Sequence, residues 1–211
     1  GIRDYKVTGV QTCALPILLL MLNGQLAPPT SEAFIDHISI PGKRTDRTVL
    51  LLSGEEVPVL KLLNPRGMYG WNVPTLVEAA LATLTTPEGE TALLREALTT
   101  FLQRVYHDLR NVGQTSRDRA LNFAVTNTFQ AAATFAEAIG DRRQLDTIEV
   151  EKSPYCRMNS DCWDVLLTFY DPEDGKRSRQ VFRFTLDVAD AMPVTVGRIK
   201  RWAKPGKGVT G

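Results

Sequence analysis

A chain of 211 residues, 43% of them hydrophobic, holds enough apolar material for one ordinary globular core or two small ones. Its 25 Lys and Arg against 24 Asp and Glu leave a formal charge of +1, which argues against a surface built to neutralise a phosphate backbone. Three cysteines are too few for a disulfide scaffold at this length and fit a reducing compartment.

Arg3 and Lys6 ahead of the apolar run 14–22 imitate a secretory signal, and the run is too short to span a bilayer. Neither description holds, because residues 1–17, GIRDYKVTGVQTCALPI, resemble the conceptual translation of a sequencing-library adapter. They are set apart from the fold, and Cys13 with them. The natural chain is then expected to begin upstream, with the opening of its domain lost beneath the adapter. The domain proper is assigned to 18–202, with sub-parts 18–84 and 88–202, followed by a flexible tail over 203–211.

Residues 18–22 read as the tail of a helix stopped at Asn23-Gly24. After the loop Pro28-Pro29-Thr30-Ser31, the stretches 37–40, 48–52 and 57–60 read as short strands, with Ser53-Gly54-Glu55-Glu56 turning between the last two. Pro58 cannot donate to a ladder and marks an edge position. Residues 64–72 form a glycine-bearing loop without Walker or dinucleotide spacing, a packing turn for Trp71 rather than a phosphate cradle. Asn72 then caps a helix with Pro74 in its first turn, running to about Leu84.

Over 90–109, Leu94, Ala97, Leu98, Phe101, Leu102, Val105 and Leu109 fall on one helical stripe, closed by Asn111-Val112-Gly113. Leu121, Val125, Thr128, Ala132, Phe135 and Ile139 make a second stripe, and the pair reads as a long helical hairpin. Residues 145–188 read as three strands. Ile148 and Val150 alternate with charged neighbours, 163–170 is aromatic and branched, and Phe182, Phe184, Leu186 and Val188 alternate with Arg183, Thr185 and Asp187. Asp171-Pro172-Glu173-Asp174-Gly175 is turn chemistry. The fold class is therefore α+β: an antiparallel meander over 145–188, with the short N-terminal strands, against the helical hairpin. Residues 192–202 can add one more strand. Arg198, Lys200, Arg201, Lys204 and Lys207 around Trp202 read as a solvated basic tail rather than a nucleic-acid patch.

Cys156 and Cys162 flank Arg157-Met158-Asn159-Ser160-Asp161 and are candidate ligands of a structural zinc. The loop is longer than the roughly two to four residues of a zinc knuckle, so free thiols and a disulfide stay open beside the metal. A zinc site would need two more ligands, from His37 and His107 or from a second copy's cysteine pair on a dimer axis. Hydrolase chemistry fails on inventory. Two histidines and no G-x-S-x-G leave no catalytic residue to name, and no cofactor-binding residue is assigned. His107 closes a helix, where a cation suits the dipole; Asp36 and His37, as strand neighbours, are expected on opposite faces.

The phrases HISIPGKRTDRTVLLLSGEEVPVLKLLNPRGMYGWN, RVYHDLRNVGQTSRDRALNFAVTNTFQ, LDTIEVEKSPYCRMNSDCWDV and RFTLDVADAMPVTVG together resemble the C-terminal domain of cyanobactin maturation proteins of the PatA/PatG type. Its most specific parts are 148–163 and 188–197. In that family the domain follows a subtilisin-like protease, which closes the precursor peptide into a macrocycle in PatG and removes its leader in PatA. The protease's catalytic residues are absent here, so proteolysis transfers to no position. The resemblance implies a cytoplasmic role in ribosomal peptide maturation. With the catalytic inventory absent, the expectation is a non-catalytic accessory domain partnered by the upstream protease domain, precursor-pathway proteins or a second copy; the balanced charge and the short apolar run set nucleic acid and membrane aside. Its rival is a metal- or thiol-dependent enzyme working through the Cys156/Cys162 loop, and a third reading, a nucleic-acid binder, would rest on the basic tail.

Overall fold

The computed structural model describes residues 14–62, 68–84, 88–109, 111, 113–126, 128–190 and 192–206. Cys13 and the first part of the adapter, Asn64-Pro65-Arg66-Gly67, Thr85-Thr86-Pro87, Val112 and Lys207 lie outside them. The chain divides into two compact units, Gly1–Thr75 and Leu76–Gly211.

In the first unit, helix α1 (Ala14–Leu26) runs through Asn23-Gly24 instead of stopping there. Gly24 is required by contact, not by a left-handed turn: a Cβ on it would lie 2.6 Å from Ile35 Cδ1. Strands β1 (His37–Ser39) and β4 (Tyr69–Trp71) pair antiparallel, so a strand forms where a loop was expected. Gly70, at its middle, makes room for the same Ile35, since a Cβ there would lie 2.9 Å from Ile35 Cγ2. Two glycines thus hold one buried isoleucine between helix and strand.

Strands β2 (Gly42–Leu50) and β3 (Glu56–Leu62) form a separate two-stranded ribbon, turned at Gly54 with φ 83°. The N-terminal strands therefore pair among themselves and do not extend the meander. Met21 and Met68 form a small core with Leu18, Ile38 and Leu62 packed on it. Asn72 caps as expected, its Oδ1 accepting the Thr75 N–H at 2.8 Å. Helix α2 (Val73–Leu81) ends three residues before the expected Leu84, closing in turns at Thr83 and Leu84.

The second unit is built on β5 (Gln144–Lys152), β6 (Cys162–Tyr170) and β7 (Arg179–Asp187), the expected antiparallel meander. Beyond β7 lie β8 (Val194–Thr195) and β9 (Lys200–Lys204), both antiparallel to it. Leu186 opposes Thr195 while Arg183 opposes Lys200, so three steps along β7 answer five along its partner. The slack is taken up at Gly197, φ 75°, a bulge that splits one strand into two. Ala203 and Lys204, assigned to the flexible tail, are strand residues opposite Gln180 and Arg179, so the flexible-tail boundary moves past them.

The expected hairpin of helices forms in pieces. Helix α3 (Glu88–Gln103) passes into a π turn over Arg104–Asp108, and the second arm is two helices, α4 (Ser116–Thr126) and α5 (Thr128–Gly140). A π turn rotates the residues beyond it out of phase. Leu94, Leu98, Phe101, Leu102 and Val105 are accordingly buried, whereas Leu109 is 50% exposed. Thr115 and Asp118 exchange backbone-to-side-chain hydrogen bonds at 3.1 Å each, a reciprocal cap at the start of α4.

Helices and sheet meet in a line of rings. Phe101 of α3 lies 5.1 Å from Phe135 of α5, Phe135 lies 5.1 Å from Phe169 of β6, and Phe169 lies 5.6 Å from Phe182 of β7. All four are essentially buried. Replacing Phe135 with Ala removes the central ring and is expected to lower unfolding stability by about 3–5 kcal/mol in chemical denaturation. Leu109→Ala, beyond the π turn, is expected to change it by less than about 1 kcal/mol. A large loss at Leu109 would contradict its placement on the surface.

Candidate functional site

The loop 153–161 between β5 and β6 carries both candidate cysteines, and they end in different surroundings. Cys162, the first residue of β6, is buried; Cys156, at mid-loop, is exposed, and both are free thiols. The Cys156 thiol donates to the Ser160 carbonyl at 3.1 Å and accepts the Cys162 N–H at 3.1 Å. Asn159 supports the bend in a left-handed conformation, φ 67°. Burial pushes the Cys162 thiol up to about 11, with the neighbouring Cys156 sulfur adding to the shift and the Arg157 amide opposing it. A thiol held protonated in this way is neither a ready nucleophile nor a ready metal ligand.

Asp161, the last loop residue, ties this loop to its neighbours. It is paired with Lys152 and accepts the Trp163 Nε1–H at 2.9 Å, and Lys152 also sits 5.0 Å from the Trp163 ring. Burial pushes the Asp161 carboxyl up, but hydrogen bonds from Lys152, Ser116 and Trp163 together hold it below the usual carboxylate range. The same bond holds the Lys152 ammonium above its ordinary value. Asp187, at the end of β7, accepts the N–H groups of Asp161 at 3.1 Å and Ala189 at 3.0 Å. With the Ala189 amide the larger influence and the Ser160 side chain next, its carboxyl is also depressed. Val188 N–H returns a bond to the Asp161 carbonyl at 3.0 Å. Arg119 of α4 donates to the carbonyls of Val188, at 2.8 Å, and Asp190.

The two stretches singled out in sequence, 148–163 and 188–197, therefore meet in space, clamped by the start of α4. Behind the loop, Arg183 lies over Tyr155 at 5.2 Å and over Trp202 at 5.8 Å, with Nη1 3.6 Å from the buried Asp164. Thr185 donates to Asp164 Oδ1 at 2.6 Å. Tyr155, 67% exposed, Met158, 93%, and Trp202, 37%, leave an apolar and aromatic surface around a cation.

His107 is not brought into this arrangement, and His37 belongs to the first unit. Among the described residues no group of three or more His, Cys, Asp or Glu could hold a metal ion. The cysteine pair thus offers two donors where a closed tetrahedral zinc site takes four. His107 lies exposed in the π turn rather than in a regular last helical turn. His37 and Asp36 do meet, with Nδ1 3.3 Å from Oδ2, because Asp36 precedes the strand and escapes its alternation. Arg119 and Ser116 escaped notice in the sequence, since only the docking of α4 on the sheet brings them to the loop, while Asp187, read only as a strand residue, reaches it by the pairing of β7 with β6 opposite Cys162. Arg201 of the basic tail is paired with Glu137, so part of that charge is neutralised locally.

A family model described as PatG C-terminal matches residues 88–202. A solved structure named PatG Domain of Unknown Function is 69% identical to this chain, with a TM-score of 0.74, covering 89% of this chain and 71% of that one. No curated protein matches.

A buried thiol held at about 11 favours folding below its ordinary value near 9, and loses that contribution as pH rises through this window, because the unfolded thiol ionises first. Denaturation between pH 8 and about 11 is expected to show a fall in stability that Cys162→Ala lacks; parallel curves for the two proteins would show that the thiol is not protected. Iodoacetamide at neutral pH should label Cys156 well before Cys162, read by peptide mass mapping. Equal labelling would count against the burial difference.

Proposed function

The chain belongs to the PatG C-terminal family, and from that membership we propose that it is an accessory module, one that holds a partner protein or a precursor peptide beside a protease and performs no bond chemistry itself. The reaction served is maturation of a ribosomal cyclic peptide, in the cytoplasm. The observation that carries this reading is the pair of exposed rings, Tyr155 and Trp202, around the partly buried Arg183. Tyrosine, tryptophan and arginine are the residues most enriched where binding energy concentrates. The ring faces grip the guanidinium, so the cluster is presented in an ordered form, with little entropy left to lose when a partner arrives.

The cysteine loop supports the same reading by the use to which its thiols are put. One is buried and held protonated, and the other is engaged by the Ser160 carbonyl and the Cys162 amide. They close the loop that displays Tyr155. Among the described residues no helix is long and apolar enough to cross a membrane.

A second reading keeps the metal. Amides of Cys162 and Arg157 already point at the two sulfurs, the outer-shell support that thiolate ligands use, so two copies could share a zinc through four thiolates. Metal binding would have to overcome the raised thiol, releasing protons as it did so.

Restored to the intact parent with its protease, the Tyr155→Ala/Trp202→Ala variant should lower precursor processing about tenfold or more at low substrate concentration, through lost effective concentration. Cleavage of a short peptide that reaches only the protease should be unaffected. Undiminished precursor processing would dismiss the accessory reading. Elemental analysis with native mass measurement decides the second reading, which requires one zinc per two chains and its loss in Cys156→Ser.

A further inference from the structure

On the opposite end of the second unit from the cysteine loop, a cavity of about 570 Å³ opens beside the line of phenylalanines. Phe135 and Phe169 form part of its wall, with Ala97 of α3 and Ile139 of α5. Its volume falls within the range that holds a small organic molecule.

One wall residue sets its chemistry. Arg143 follows Arg142, whose left-handed conformation, φ 56°, ends α5 abruptly and turns the chain into β5. The Arg143 side chain is only 8% exposed. Its Nη1 donates to the Ser178 carbonyl at 2.6 Å, while Nε has no hydrogen-bond partner and lies 3.9 Å from the half-exposed Asp141 carboxylate. A buried guanidinium with an unfilled donor is costly unless an acceptor arrives. Arg142 and Arg104 also line the cavity; Glu96 and Glu173, its two acids, are exposed and solvated. The buried charge facing an entering molecule is therefore positive, and the surface beneath it is aromatic and aliphatic.

We propose that this cavity binds a monocarboxylate with an apolar body, its carboxylate on Arg143 and its body against Phe135 and Phe169. A carboxylate suits the Arg143 guanidinium, whose Nε has no hydrogen-bond partner, and it would compete there with the Asp141 carboxylate 3.9 Å away. The site lies at the other end of β5 and β6 from the cysteine loop, and it stands whether or not the accessory reading holds. The same chemistry occurs in a free aliphatic acid and in the C-terminal residue of an apolar peptide.

Calorimetric titration of the full chain with octanoate, octanol, and an N-acetylated Ala-Ala-Phe tripeptide as free acid and as amide separates the sources. At least one acid should bind saturably, about tenfold or more tighter than its uncharged counterpart. Octanoate alone points to a free acid, the peptide acid alone to a chain terminus, and both to the shared chemistry. Arg143→Met should remove the preference for the acid. Ala97→Phe, which puts a ring into the cavity from the α3 wall, should weaken binding of acid and neutral analogue together. Equal affinity for charged and neutral members of each pair overturns the proposal, as does unchanged acid binding in Ala97→Phe or the absence of saturable binding by either acid. The charged-against-neutral comparison uses the unaltered chain, so it holds even where Arg143→Met fails to fold.

Discussion

The line Phe101, Phe135, Phe169 and Phe182 is the constraint on which the larger unit rests. Each ring belongs to a different element, so two helices and two strands share one continuous apolar contact. The tilted and edge-on arrangements are those the ring quadrupole favours, each worth about 0.5–1.5 kcal/mol beyond the burial itself. The same rings explain why the helices tolerate irregularity. The π turn and the divided second arm are acceptable because the residues before and between them still reach the aromatic line, and local regularity yields to the larger packing term.

The joint around Asp161 works differently, through polar groups that are all matched. Lys152, Ser116 and Trp163 converge on one carboxylate; Asp187 receives two amides, and Arg119 gathers two carbonyls. Charged hydrogen bonds of this kind contribute roughly 1.5–3 kcal/mol each when partly buried, less at the exposed Lys152 end. They hold the loop, the end of β7 and the start of α4 in one register. That joint holds the loop carrying Tyr155 beside Arg183, while the pairing of β9 with β7 brings Trp202 to the same guanidinium.

Much of this was legible in the chain itself. The alternation of Phe182, Phe184 and Leu186 against Arg183 and Thr185 located β7, and the Asp171 turn joined it to β6. The Asn72 cap was readable because its signal is local. What escaped depends on distant partners. Gly24 looked like a helix stop and Gly70 like part of a loop, because nothing nearby reveals that Ile35 must fit against both. Arg104-Val105-Tyr106-His107-Asp108 carries no residue that announces a π turn, so Leu109 was assigned to the wrong face. At the site, the cysteine spacing was visible and the partners of Asp161 were not, since Ser116 reaches it only when α4 docks. Arg143 gave no signal at all; the second of two adjacent arginines in a connector reads as solvated until its burial is known.

The bulge at Gly197 has an outcome for how the sheet meets its surroundings. By restarting the strand two residues out of step, it places Lys200 and Lys204, with the Glu137-paired Arg201 between them, along the outermost ribbon of the sheet. Two such rims brought side by side would set lysine ammonium groups against their own kind, so the rim resists growing by copying itself. An incoming strand rich in aspartate or glutamate would meet the reverse situation, with main-chain ladder and charge acting in the same direction.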